Sequence, residues 1–520
     1  MRKFLNIYLP ASLFLAFLAM ILFTLGGCGG DGGGGSAAGL STNGPSSISE
    51  YDTDAYTASW PLAPKTVVIG ADDPVIDVPA VQSAVDQGGT VILRGTFDFG
   101  TDAGNHIIVP GRTFPEQDQK GQSTVFIYQK DVTILGEIGP RGELLTVVKN
   151  GMPPFWIGWD GEVSRTPPPG SYNVDYGIEI FPVDASGKVD YRDTGPETGY
   201  TGPQTRYARA YQNVSALIKN IFFDSPRHYG VKATAGRDVF VLGNTFSKVR
   251  FGGLVYLNSF AGATRIVVGF GGAGLFYAPF VYPAITGKIV AERNVVDDVG
   301  TEEGLDLHSG ESYGMAALFT SAAVRIERNE IRNVGRQEDG TESGAYAASI
   351  LLGDNYAASP LVAKNIIYNS SLIGIWDLVG LAPSPGPTIR HNTLDDCVIG
   401  IMTDSWIGPR TGVLIHQNSI SYSQDGLLGS GQACIVASQS KEALIRANRF
   451  EGDYAGPLVA LSSSSDCTLL ENRDLRSTIP PESPTYFLDE NSSGNLIRGA
   501  SGTALDLGTN NEIFLQDPGL

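Results

Sequence analysis

Asp306 and His308 have the residue types and spacing for acid–base work, in the string Glu303-Gly304-Leu305-Asp306-Leu307-His308-Ser309. If that string is a β-strand, Leu305 and Leu307 point one way and Asp306 and His308 the other, about 7 Å apart along the strand. A carboxylate beside an imidazole on a rigid strand can orient or charge the ring near neutral pH, which suits proton abstraction. The turn before the string is acidic, with Asp297, Asp298, Glu302 and Glu303. Grouped carboxylates offer the oxygen ligands that Ca²⁺ takes, so Asp298, Glu302 and Glu303 are the expected ligand set, although no loop has the spacing of a known calcium motif. A second acidic stretch, Gln337-Glu-Asp-Gly-Thr-Glu342, is expected beside it.

Other chemistries are thinly represented. The chain has no phosphate-cradling loop, zinc-type Cys/His spacing, nucleophile elbow or dinucleotide fingerprint. Five histidines in 520 residues argue against a histidine-rich metal centre. A formal net charge of −19 disfavours nucleic acid and anionic lipid as partners. It also repels an anionic polysaccharide unless a basic patch or a bound cation offsets the field. Cys397, Cys434 and Cys467 are too few for a disulfide scaffold and are expected as buried thiols.

The elements that would position these residues come from a repeat. The phrase apolar-x-x-Asn-x-apolar recurs at Asn244, Asn329, Asn365, Asn392, Asn418 and Asn448, with looser copies at Asn220 and Asn294. A second phrase, Gly then apolar, follows at Gly230, Gly304, Gly374, Gly400 and Gly426. Short strands separated by polar turns at intervals of one or two coils describe a solenoid. Each coil buries its inward side chains on the coils above and below, about 4.8 Å away. An Asn at a fixed turn can bond along the axis and tolerates left-handed backbone, so the Asn row is structural. The expected fold is all-β, a right-handed parallel β-helix of roughly ten to fourteen coils.

The open N-terminal end needs a cap. Asp77-Val-Pro-Ala-Val-Gln-Ser-Ala-Val-Asp-Gln87 predicts a short helix with Asp77 as N-cap and Pro79 in its first turn. Gly88-Gly89-Thr90-Val91 then ends the helix and opens a strand. This cap resembles that of the pectin-lyase-like parallel β-helix superfamily, and the resemblance covers roughly residues 75–515. It implies the fold but not one activity, because the scaffold carries lyases, hydrolases, epimerases and inert adhesins. The string at 303–309 is similar to the alginate C5-epimerase motif Tyr-Gly-Phe-Asp-Pro-His-Asp. Gly304, Asp306 and His308 match, while Glu303, Leu307 and Ser309 depart. The family's proton-transfer tyrosine is missing; Tyr256 or Tyr313 would replace it only if the fold brings one close. Asp395-Asp396-Cys397 superficially resembles a polygalacturonase string. Asp396, however, falls four residues after Asn392, in a turn slot that other repeats fill with Asp224, Lys248, Asp298, Asn333 and Asn369.

Three residues are expected to bind substrate. Trp376 follows Gly374-Ile375 at an outward position, and its flat ring would stack on a sugar. Tyr256 is grouped with it. Lys232 is outward in an earlier coil, about three coils or roughly 14 Å from Asp306, and would hold a distant part of a long substrate.

The N-terminus carries an address. Arg2 and Lys3 precede an uncharged apolar stretch ending Leu25-Gly26-Gly27-Cys28. This reads as a signal peptide whose end resembles the bacterial lipobox, with Cys28 lipidated. The Gly/Ser-rich stretch that follows reads as a tether. The division is then 1–27 signal peptide, 28–60 tether and 61–520 β-helix. The chain would be lipid-anchored, at the outer membrane or cell surface. Two functions remain open: a uronate-glycan lyase or epimerase assisted by Ca²⁺, or a non-catalytic adhesive or structural surface protein.

Overall fold

The computed structural model describes residues 53–58, 60, 63–100, 124–151, 153–164, 178–182, 205–210, 214–226, 229–233, 236–249, 252–258, 263–271, 274–281, 287–299, 311–318, 323–335, 346–353, 359–379, 385–405, 408–423, 432–452, 454, 456–476 and 484–516. Fourteen short strands stack in parallel into a first wall, from Lys65–Ile69 through Lys288–Glu292 to Glu512–Leu515. A sheet of 21 strands forms two more walls. The strands Ile366–Val379 and Thr393–Ser405 run through the corner between those walls and make them one sheet. The molecule is a right-handed parallel β-helix. Inward positions form apolar columns such as Ile218, Val241, Ala291, Ile326 and Val362, all buried. Two antiparallel additions interrupt the coils: Trp159–Ser164 with Ile178–Pro182 and Thr205–Ala210, and the hairpin Ala263–Gly271/Gly274–Val281.

The asparagine row is an unbroken ladder from Asn244 through Asn294, Asn329, Asn365, Asn392, Asn418 and Asn448 to Asn472. Each Oδ1 accepts from both the backbone N–H and the Nδ2 of the Asn one coil earlier, as Asn392 Oδ1 does from Asn365 at 3.0 and 2.9 Å. The left-handed residue is not the Asn but the one before it: Arg293, Arg328, Lys364, His391, Gln417, Ala447 and Glu471 all have φ between 52° and 57°. Asn220 belongs to this second set, with φ 63°, and Ile221 takes the ladder slot above Asn244 Oδ1 at 3.0 Å. The turn slot expected around Asp396 holds for Lys248, Asp298, Asn333, Asn369 and Asp396, all left-handed, but not for Asp224: with Asn220 one place early, the left-handed residue of that coil is Ser225, φ 52°.

The cap helix is Pro74–Gln87, one turn longer than expected. Its N-cap is Asp73, whose Oδ1 accepts from the Val75 N–H at 2.9 Å; Asp77 is not the cap. Asp77 is instead a buried carboxylate that accepts from the N–H groups of Ala71, Asp73 and Asp98 at 2.7–3.0 Å. Gln82 bonds both polar groups of Phe126, accepting from its N–H at 2.8 Å and donating to its C=O at 2.9 Å. A side-chain amide thus stands in for a neighbouring strand at the first edge of the third wall.

Residues 53–60, assigned to the tether from sequence, pack against the outside of the first wall. The helix Thr53–Ala58 meets a buried charge cluster: Thr53 Oγ1 donates to Glu292 Oε2 (2.6 Å), and Arg325 Nη2 donates to that same oxygen (2.8 Å). Arg325 also pairs with Glu327 at 3.0 Å. Arg293 and Lys219 hold Asp54 at 2.8 and 3.1 Å. Trp60 stands edge-on to Phe240, with ring centroids 5.3 Å apart.

Candidate functional site

Strand pairing on the third wall aligns one column by register: Phe126, Trp156, Lys232, Tyr256, Ala316, Leu351, Trp376, Met402 and Val436, one residue per coil. Their chain neighbours, such as Val231 and Ala233 or Met315 and Ala317, point into the core. All three expected substrate-binding residues, Lys232, Tyr256 and Trp376, therefore share this column. Lys232 is two coil steps from the Glu311–Leu318 strand, because Tyr256 alone separates it from Ala316; its distance to Asp306 lies outside the described residues.

The column is closed rather than open. Lys232 is 6% exposed, with Nζ 4.1 Å from the Trp156 ring centre, a cation–π contact that holds it along the wall. Trp376 faces outward as expected but is 5% exposed. It packs with Tyr313, Ala316, Ala348, Leu351 and Ile373 in a cluster separate from the core, bordered by the half-buried Ile399 and Met402. Its indole Nε1 is buried without a hydrogen-bond partner. Asp404, two residues beyond Met402, lies at the edge of this patch and accepts from the Ser405 N–H at 2.8 Å. An apolar wall, an unsatisfied indole donor and a carboxylate at the rim form a combination suited to the faces and hydroxyls of sugars.

The Gly-apolar phrase aligns only in part. Gly374 and Gly400 lie in one column because a Cβ there would meet the backbone of the next coil, 2.7 Å from Gly400 O and 2.6 Å from Cys434 O respectively. In the coils expected to use Gly304 and Gly426, pairing puts Gly314 and Cys434 in that column. The outer strand of the first of these coils is Glu311–Leu318. Asp306 and His308 lie outside the described residues, as do Glu302, Glu303 and Cys28. The flanking strands are paired in adjacent coils, Val299 with Val334 and Glu311 with Tyr346.

Asp298, the remaining expected metal ligand, is half-buried in its left-handed turn slot, φ 58°. Its neighbour Asp297 is engaged by Asn333 Nδ2 at 2.8 Å and Arg332 at 3.6 Å. Among the described residues no three His, Cys, Asp or Glu side chains are grouped to hold a metal. Sequence reasoning missed the lumen: Asp377, beside Trp376 but pointing inward, is fully buried and paired bidentately with Arg410 at 2.9 Å for both contacts. Alternation could have shown its inward direction, but nothing local shows that Arg410 reaches it.

No family model matches the chain, and no curated protein matches it in sequence. Among solved structures it is similar to the Dettilon tailspike protein, at 12% identity and TM-score 0.37 over 86% of this chain and 68% of that one. It is also similar to the A-module of the Azotobacter vinelandii mannuronan C-5 epimerase AlgE6, at 12% identity and TM-score 0.34 over 86% and 96%. The Yersinia enterocolitica family 28 exopolygalacturonase is similar at 9% identity and TM-score 0.32 over 88% and 79%.

Proposed function

We propose that this chain is a surface lipoprotein, anchored through Cys28, whose third wall binds a uronate-containing polysaccharide along the solenoid axis. The observation that carries this reading is Trp376, outward in an apolar patch with a buried indole N–H that lacks an acceptor. An unmet buried donor costs about 1–3 kcal/mol, and a sugar oxygen seated in the patch would satisfy it. The column supports a lengthwise pose. Lys232 is four coil steps from Trp376, about 19 Å, and would have to swing off the Trp156 ring to meet a uronate carboxylate farther along the polymer.

Asp306 and His308 come five and three residues before Glu311–Leu318, the strand that gives Tyr313 and Ala316 to this patch. In the catalytic form of the proposal, His308 takes the C5 proton beside the uronate carboxylate, and the electron pair enters that carboxylate as an enolate. Asp306 would orient the imidazole; Asp298, Glu302 and Glu303 would be the residues to hold a Ca²⁺, whose positive charge would favour the enolate. Expulsion of the C4 oxygen completes a lyase; return of a proton to the opposite face completes an epimerase. The test is release of unsaturated product and C5 hydrogen exchange from alginate and pectate, with and without Ca²⁺, using the full chain. His308→Ala should abolish turnover and spare binding, while Trp376→Ala should weaken binding about tenfold or more. Turnover unchanged in His308→Ala removes this site, and polymer binding unchanged in Trp376→Ala removes the groove. Binding without turnover on either polymer supports the adhesive reading. Cys28→Ser should release the protein from the membrane fraction or leave an uncut precursor.

A further inference from the structure

A second feature lies on a different wall. At the entrance to the first wall, Asp131, Ser215 and Asp238 precede the strands Val132–Gly136 and Ala216–Lys219 or open the strand Asp238–Leu242, in three consecutive coils. With Val132, Thr133, Arg237 and Trp60 they line a cavity of about 130 Å³. Trp60 reaches it from the segment that crosses the outside of the wall, and its ring is fixed edge-on by Phe240.

The polar groups are arranged by the backbone. Asp131 Oδ1 accepts from the Ser215 N–H at 2.8 Å, and Asp238 Oδ1 accepts from the Lys288 N–H at 3.1 Å. Arg237 lies between the carboxylates, 3.2 Å from Asp131 Oδ2 and 3.6 Å from Asp238 Oδ2. The Ser215 hydroxyl lines the same cavity, 2% exposed, and has no hydrogen-bond partner. Buried hydroxyls are normally satisfied, so this one points to a missing ligand atom.

We infer that this cavity is a binding site for a single uncharged pyranose unit, stacked on Trp60 and hydrogen-bonded by Asp131, Ser215, Arg237 and Asp238. At about 130 Å³ the cavity is smaller than the ~150 Å³ that encloses a benzene ring, so it can seat one pyranose only in part, with the rest in solvent, and has no room for a polymer. Vicinal hydroxyls donate to the carboxylates and accept from the guanidinium and Ser215. Two carboxylates against one guanidinium leave a net charge of −1, which turns away a uronate. Arg237 already occupies the space between the carboxylates, so the ammonium of an amino sugar would have to displace it. The site thus differs in wall, size and ligand charge from the groove at Trp376, and it stands without that reading. Because Trp60 belongs to the segment that follows the expected tether, an occupied site also fastens that segment to the body.

The experiment is saturation-transfer NMR on the full chain with the methyl glycosides of glucose, galactose and mannose, and with glucuronic acid and glucosamine as charged counterparts. At least one neutral glycoside is expected to bind at millimolar concentration. Trp60→Ala should weaken it tenfold or more. Ser215→Ala should weaken it several-fold while leaving the melting temperature equal or higher, since the hydroxyl bonds nothing in the empty site. Trp376→Ala should leave this binding unchanged, which separates failure here from failure of the polysaccharide groove. No binding of any neutral glycoside, a preference for the charged sugars that persists in Trp376→Ala, or full binding by Ser215→Ala would overturn the assignment.

Discussion

Replacing Asn392 by alanine tests the ladder at a position where every bond is accounted for. Asn392 Oδ1 accepts from the Asn365 backbone N–H at 3.0 Å and from its Nδ2 at 2.9 Å; Asn392 Nδ2 donates to Val362 O at 3.1 Å and Asn418 Oδ1 at 3.0 Å. Alanine keeps the backbone bond from Asn392 N to Asn418 Oδ1 but removes the acceptor of two buried donors on Asn365. At about 1–3 kcal/mol for each orphaned group, the expected cost is about 2–6 kcal/mol. Repeat arrays can lose all-or-none unfolding, so the global midpoint is a poor reporter. Hydrogen exchange read by mass spectrometry is the better assay. The coils around 361–367 and 388–394 should exchange about a hundredfold faster for each ~2.8 kcal/mol lost, with distant coils unchanged. Asn220→Ala is the control: Asn220 sits in the left-handed slot, so only about 1 kcal/mol of backbone cost is expected. Equal protection in Asn392→Ala and wild type, or a larger effect from Asn220→Ala, would refute the ladder argument.

Three further outcomes follow from buried or paired groups. Asp377→Ala should cost about 3–5 kcal/mol by leaving Arg410 buried without its carboxylate, whereas Asp377→Leu with Arg410→Met should recover most of it in urea melts. The native thiols should resist maleimide at pH 8 and label after denaturation, because burial pushes Cys467 up to about 11 and Cys434 higher still; rapid native labelling of either contradicts this. Arg293, with Lys219, holds the Asp54 carboxyl at about 2 against an ordinary 3.8. A lowered folded-state pKa gives stability that is complete above 3.8 and lost as pH falls towards 2. Pepsin cleavage within 53–60 should therefore rise across that interval, and a flat profile would show that the contact does not hold the segment.

The solenoid was legible in the sequence because a turn that must bond along the axis repeats one residue type in every coil. Legibility failed where a different physical demand admitted the same letter. Asn220 fits the phrase, but asparagine also tolerates the left-handed slot one place earlier, and Ile221 held the ladder position. The Gly-apolar phrase misled at Gly304 and Gly426 because the column asks only for a small residue under the next coil's carbonyl, which Gly314 and Cys434 also satisfy. Asp77 reads as a helix cap by type, yet its carboxylate reaches back to three N–H groups and leaves the cap to Asp73. Alternation gave the outward direction of Lys232 and Trp376. It could not give their burial, which depends on packing between coils. Thr53–Trp60 carried no signal against the wall because its partners, Glu292, Arg325 and Phe240, are more than 150 residues away in the chain.

That segment also decides how the body responds to a pull. Thr53 grips the sixth and seventh of the fourteen strands of the first wall, through Glu292 and Arg325, before the chain runs back to the first strand at Lys65–Ile69. A load on the chain ahead of residue 53 therefore enters at the waist of the rod, not at its tip. It shears a clamp of several charge-assisted bonds at once, while the cap helix and the first coil behind the clamp stay slack. A rod loaded at its middle can pivot without uncoiling, and its end coils are the last to feel the strain.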